Sequence, residues 1–221
     1  MAGTLYLGGG GSPEDEQALW RRMLASQPRV LYWPFALPDS MLDDAKDWLA
    51  AALDRFGFAG TLDAWTTLAD HDHAELDEFD LLFVGGGNTF KLLHEVRSRG
   101  FLEPVRRFVE LGGAYYGGSA GALLACDDIS IADGHDPNDI GLTDLRSLGL
   151  VPRLAILPHY EPSSENSAQQ WAQDNQSRLL GLPERTGLVV TAPEMLVVGD
   201  ESAWSFDGVR VRRHLPGTAL D

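Results

Sequence analysis

Three features of this 221-residue sequence predict an α/β fold, a three-layer sandwich around a mostly parallel central sheet. Short apolar runs alternate with helix-period segments through residue 126. The run "DLLFVGGGN" (80–88) is uninterrupted, as in a strand covered on both faces. Glycine-rich turns close several apolar runs just where helical patterns begin. No repeat, low-complexity tract or long linker divides the chain, so a single domain spanning residues 1–221 is expected.

The elements follow in order. "TLYL" (4–7) is the first strand, and glycines lead from it to Ser12-Pro13-Glu14-Asp15. That tetrapeptide reads as an N-cap, a first-turn proline and acids at the positive end of a helix. "RVLYWPF" (29–35) is the second strand. Leu42, Ala45, Leu49, Leu53 and Phe56 then recur at helical spacing, and Gly57 supplies the stop. "GTLDAWTTL" (60–68) is a weaker strand, and residues 80–88 a strong one. Two helices come next, 88–100 and 102–113, with Asn88 and Glu103 near their starts. "GAYYGG" (113–118) reads as a strand and "AGALLAC" (120–126) as a helix. "ISIA", "LAILPHY", "GLVVTA", "MLVVG", "AWSF" and "VRVRR" are further strands. The last four have short connections, including the turn Phe206-Asp207-Gly208, and so predict antiparallel hairpins. The polar stretch 163–181, anchored by Trp171, Leu179 and Leu180, reads as a surface helix.

Composition narrows the function. The 33 acidic and 17 basic residues give a net charge of −16, a field that opposes nucleic acid and anionic membranes. No apolar run approaches the ~18 residues of a membrane span. Cys126, the single cysteine, excludes an intramolecular disulfide and fits a reducing compartment. The start "MAGTLYLGGGG" has neither the basic nor the long apolar region of a leader, and a cytoplasmic protein is expected.

Gly117-Gly118-Ser119-Ala120-Gly121 matches G-x-S-x-G, with a strand before it and a helix after it. Small neighbours are needed there because a sharp turn would bring larger side chains into collision, and the turn exposes Oγ. A structural glycine-serine turn would show the same five residues. A serine hydroxyl needs a base in reach. His71 and His73 sit in an acidic stretch, His94 within a helix, His135 in an Asp-rich loop and His214 near the C-terminus. His159 differs: it follows an apolar run closed by Pro158, hence a strand terminus, where α/β sites collect. A hairpin about "APE" would put Glu194 at one end of the sheet and Asp200-Glu201 at the other, so one of Asp200 or Glu201 is the candidate acid. Ala120 N–H, next after the serine, and Gly87 N–H, at the mouth of the following helix, are candidate oxyanion donors, with Asn88 capping that turn.

"FVGGGNTFKLL", "GGSAGALLAC", "LPHY" and "VVTAPEMLVVGDESAW", in this order, resemble the dipeptidase E family of serine peptidases, the alpha-aspartyl dipeptidases, with cyanophycinase a more distant relative. The resemblance runs from about residue 80 to 205. It implies a fold similar to class I glutamine amidotransferases and a Ser-His-Glu triad. Carried over by position, the triad is Ser119, His159 and Glu201, with Asp200 open because a one-residue gap is needed, and Gly87 and Ala120 form the oxyanion hole. Two positions depart from the family. Gly118 stands where those enzymes often have tryptophan, and the arginine thought to hold the substrate's aspartate falls near Asn175. Arg178 matches a second family arginine and, with Asn88, is the candidate substrate contact.

Rival readings are weaker. Neither Gly8–Gly11 nor Gly85–Gly87 continues as G-x-G-x-x-G, and there is no G-K-[ST]. His71-Asp72-His73 and "DGHDPND" lack metal-ligand spacing, so no metal or cofactor is expected. An amidotransferase-type amidase would use a cysteine, and Cys126 lies within the helix after Ser119. A non-catalytic small-molecule-binding relative and a cyanophycinase-like hydrolase remain the alternatives. The expected protein is a serine exopeptidase, monomer or homodimer, that cleaves dipeptides or short peptides, with N-terminal Asp a candidate preference.

Overall fold

The computed structural model describes residues 3–220, and its backbone builds two β-sheets with helices. The chain order is β1 (Leu5–Gly8), α1 (Gln17–Met23), β2 (Arg29–Trp33), α2 (Leu42–Arg55), β3 (Thr61–Ala64) and β4 (Leu81–Val84). It continues with α3 (Thr89–Ser98), α4 (Leu102–Glu110), β5 (Ala114–Gly118), α5 (Ala120–Leu124), β6 (Leu154–Pro158) and α6 (Glu165–Asn175). The last part is β7 (Arg178–Leu182), β8 (Thr186–Thr191), β9 (Glu194–Gly199), β10 (Ala203–Phe206), β11 (Val211–His214) and β12 (Ala219–Leu220).

The larger sheet has the order β12-β9-β8-β1-β5-β4-β2-β3. Its β1, β5, β4, β2 and β3 run parallel, while β8, β9 and β12 form an antiparallel wing. Strict alternation along the parallel strands sends side chains to two separate cores. Val30, Tyr32, Leu81, Phe83 and Tyr116 pack with Leu19 and Trp20 of α1 and Leu49 and Leu53 of α2. Leu31, Trp33, Leu82, Val84 and Tyr115 face the other way, against Phe90 of α3, Val105 of α4 and Leu124 of α5. The chain steps outward along the sheet with helices on one face, then back with helices on the other, as right-handed crossovers require. This is the three-layer α/β arrangement expected.

Three details differ from the sequence reading. β6 leaves the main sheet and heads a second one, of order β11-β10-β7-β6, so the predicted hairpins are shared between two sheets. The helix expected over 163–181 ends at Asn175; Gln176 turns the chain through a left-handed conformation, and Arg178–Leu182 is β7, parallel to β6. The buried apolar run "LLGL" outweighs the polar pattern before it. "ISIA" is a 3-10 turn at Ser130–Ala132, entered where Asp128 Oδ1 accepts the Ser130 N–H at 2.8 Å. Among the described residues, no helix is long and apolar enough to cross a membrane.

Candidate active site

β1, β5 and β4 are neighbours, so their carboxyl ends deliver three glycine-rich turns side by side. From β5 the chain turns at Ser119, with φ 51° and ψ −109°, straight into α5. A β-carbon at positive φ is crowded, and such outliers gather at functional sites. Burial of every residue from Ala120 to Leu124 pins the turn, and the Ser119 carbonyl accepts the N–H groups of Ala122 and Leu123 at 2.8 and 3.1 Å.

His159 follows β6 and also has positive φ, 51°. Its backbone N–H donates to the Gly9 carbonyl at 2.8 Å, tying the end of β6 to the turn after β1. The ring then reaches Ser119: Nε2 lies 3.0 Å from Oγ. Nδ1 lies 2.9 Å from Oε1 of Glu184. Hydroxyl, imidazole and carboxylate form one continuous hydrogen-bonded series, and with a proton on Nδ1 the Nε2 lone pair faces the hydroxyl. The His159 and Glu184 side chains are 48% and 58% exposed, so solvent screens their attraction until a ligand covers them.

The carboxylate bonded to the ring is not one of the two expected. Glu201, the acid carried over by resemblance, and Asp200, its alternative, follow β9 at the same end of the sheet, but neither bonds the ring; Asp200 pairs with Arg185. Glu184 is closer because β7 runs beside β6, Pro158 opposite Leu182, and the turn into β8 puts Glu184 next to His159. Reading residues 176–181 as helix hid this. A signal was present: "LPE" closes the run before Glu184 as "LPH" closes the one before His159.

The other predicted site residues separate into two groups. Ala120 opens α5 beside Ser119, and its N–H, in the first turn, has no intrahelical acceptor. Gly87 has φ 134° and packs against the Ala36 carbonyl, while Gly86 makes the close approach, a β-carbon there lying 3.2 Å from Ser119 Cβ. Asn88 is engaged by the fold: Oδ1 accepts the Lys91 N–H at 2.8 Å and Nδ2 donates to the Pro137 carbonyl at 2.8 Å. Arg178 is paired with Leu154 at the start of β6, four residues upstream of the strand end that leads to His159. His71 stacks on Trp65 at 3.9 Å, and His73 meets the Arg99 carbonyl at 3.2 Å. Cys126 is buried, which pushes its thiol up to about 12.

Sequence reasoning passed over the turn after β1. Gly10 has φ 96°, and a β-carbon on it would lie 2.5 Å from His159 Cε1 and Nε2 and 3.0 Å from Ser119 Cβ. Only glycine lets that backbone lie against the Ser119–His159 pair. Beneath the turn is Glu16, 2% exposed. Its carboxylate accepts the Gly10 N–H at 2.8 Å, the Tyr116 hydroxyl at 2.6 Å and the Trp20 indole N–H at 3.4 Å. Burial pushes this carboxyl up to about 7, with the donors offsetting part of the cost.

Two recesses open on Ser119. One, of about 720 Å³, has aromatic walls that include Trp20, Tyr32, Phe83 and Tyr116. The other, of about 110 Å³, is bounded by Thr89, His135, Asp136, Pro158 and Ser164, with no Lys or Arg in its lining.

Comparison with known proteins gives a consistent result. The model of Peptidase family S51 matches residues 5–198. Peptidase E of Citrobacter koseri is 34% identical over 195 residues, covering 86% of this chain and 78% of that one. Peptidase E of Salmonella typhi is 34% identical over 200 residues, covering 87% and 86%. A peptidase from an acI-B1 Actinobacterium superposes with a TM-score of 0.72 at 21% identity, over 100% of this chain and 97% of that one. A protein of Listeria monocytogenes EGD-e gives 0.73 at 21% identity, over 90% and 99%. These neighbours share the fold.

Glu16 generates a stability prediction. Its folded carboxyl titrates near 7 rather than near the ordinary 4.5, so its contribution is intact below 4.5 and is lost as pH rises through 7. Relative to Glu16→Gln, the protein should lose on the order of 3 kcal/mol of unfolding free energy across that interval. Urea unfolding of both proteins at several pH values checks this; a stability difference independent of pH would contradict it.

Proposed function

The chain belongs to peptidase family S51 and is a serine peptidase, and we propose that it is an exopeptidase that removes a small, uncharged N-terminal residue from dipeptides or short peptides. The observation that carries this reading is the hydrogen-bonded series from Ser119 through His159 to Glu184. Glu184 holds the Nδ1–H tautomer. As Ser119 Oγ attacks the scissile carbonyl carbon, its proton passes to His159 Nε2 and the carbonyl π pair moves onto oxygen. The Ala120 N–H and one from Gly86–Gly87 stabilise that oxyanion. Collapse breaks the C–N bond, and the amine leaves with the proton from Nε2. Water then gives a proton to the same nitrogen as its oxygen attacks the acyl ester; collapse breaks the acyl C–Oγ bond, Ser119 Oγ takes the proton back from Nε2, and the N-terminal residue leaves as its free acid.

The small recess sets the acyl side. Asp136 borders it, its Oδ2 accepting the Thr89 N–H at 2.8 Å, and its charge attracts the α-ammonium of a free N-terminus. That volume fits a small side chain. An aspartate side chain would meet Asp136 with no arginine in the lining to offset the repulsion, which favours a neutral residue over the aspartyl one that the resemblance implied.

Two results are expected. Glu184→Gln should lower kcat by roughly 10³–10⁴, as loss of the orienting acid does in other serine peptidases. Glu201→Gln should stay within about twofold of the parent, since Glu201 makes no bond to the ring; the reverse pattern would return the role to Glu201. In kcat/KM, Ala-Ala should exceed Asp-Ala by about tenfold or more, on the order of one like-charge contact; a preference for Asp-Ala would overturn the neutral assignment.

A further inference from the structure

We propose that the 720 Å³ recess receives a bulky apolar side chain, aromatic by preference, on the leaving residue of the substrate. This rests on the peptidase reading above and extends it to the other side of the scissile bond. The volume lies within the range of small-molecule sites, and the recess opens directly on Gly118 and Ser119. With the N-terminal residue in the small recess, the leaving residue has this chamber in front of it.

The walls select for an aromatic group. Phe83 stacks on Tyr116 at 4.1 Å and meets Trp20 and Tyr32 edge-on at 5.3 and 5.5 Å, so the floor is a rigid cluster of ring faces and edges. The Tyr116 hydroxyl is already paired, donating to Glu16 Oε2 at 2.6 Å. Gly118 keeps the floor clear, because a β-carbon there would lie 2.8 Å from the Tyr116 oxygen. At the mouth, Met41 and Trp48 are 52% and 55% exposed. A seated ring would cover both and remove their apolar surface from water. The charged groups at the rim, Asp44 and the Glu14–Arg55 pair, stay in solvent and need not be stripped of water.

Ala-Phe, Phe-Ala, Ala-Lys and Ala-Ala distinguish the possibilities. Ala-Phe should exceed each of the others in kcat/KM by about tenfold or more, the scale of a filled apolar pocket. The Ala-Phe to Ala-Ala ratio should shrink toward one in Trp48→Ala and in Met41→Ala, both changes at exposed positions. A ratio near one in the parent protein, a ratio unchanged in both variants, or preference for Phe-Ala or Ala-Lys would overturn the inference. Calorimetric binding to Ser119→Ala separates it from the peptidase reading. Ala-Phe binding about tenfold tighter than Ala-Ala supports the aromatic site, and equal affinities refute it, whatever happens to turnover. Hydrolysis of Ala-Ala without any gain from Phe would sink this inference alone. Turnover that survives in Ser119→Ala would sink the peptidase mechanism.

Discussion

The hydrogen bond between Ser119 Oγ and His159 Nε2 joins two β-sheets, and the rest of the site depends on it. One partner comes from the end of β5 in the eight-stranded sheet, the other from the end of β6 in the four-stranded sheet. Both residues hold positive φ, at about 1–3 kcal/mol each by the usual cost of such conformations. Packing of the buried α5 and β6 offsets that cost. The turn after β1 fastens the two sides: the Gly9 carbonyl accepts from His159 N, and Gly9 N donates to the Thr186 carbonyl at 2.9 Å. Gly10 fills the space between them without a side chain.

Two carboxylates near that turn have opposite environments. Glu184 is exposed, so its hold on His159 is orientational, and its Coulombic share grows as a ligand displaces water. Glu16 is buried and bonded to backbone and aromatic donors, so its work is structural: it fixes the glycine turn from below and Tyr116 from the side. The same residue thereby shapes both the surroundings of His159 and the wall of the larger recess. Net charge of −16 does not decide the chemistry of either recess; the smaller is set by Asp136 without a cation, the larger by aromatic rings.

Much of this was legible in the sequence, and the losses have a common cause. Ser119 and His159 are legible because each follows a strong apolar run, and sites collect at the carboxyl ends of strands, here the ends of two different sheets. The two-faced sheet was readable from uninterrupted runs such as "LLFV". Glu184 was not, because β7 follows a polar helix without a break residue, and the left-handed turn at Gln176 has no glycine to announce it. A helical reading of β7 leaves the carboxylates after β9, two strands later, as the acids at a strand end. Arg178 lies away from Ser119 for the same reason: a strand sends its first residue to the far end. The glycines at 8–11 match no nucleotide-binding pattern; Gly9, Gly10 and Gly11 lie close to residues distant in sequence. Separation along the chain hides such contacts from local patterns.

Activation of the Ser119 hydroxyl by His159 is open to direct test. Its most direct measurement is labelling with a fluorophosphonate, followed by mass mapping of the modified peptide. One adduct per chain is expected, on Ser119, formed at a rate that collapses in His159→Ala while the fold persists by circular dichroism. An unlabelled Ser119 in the intact protein, or labelling as fast without His159 as with it, would contradict the account.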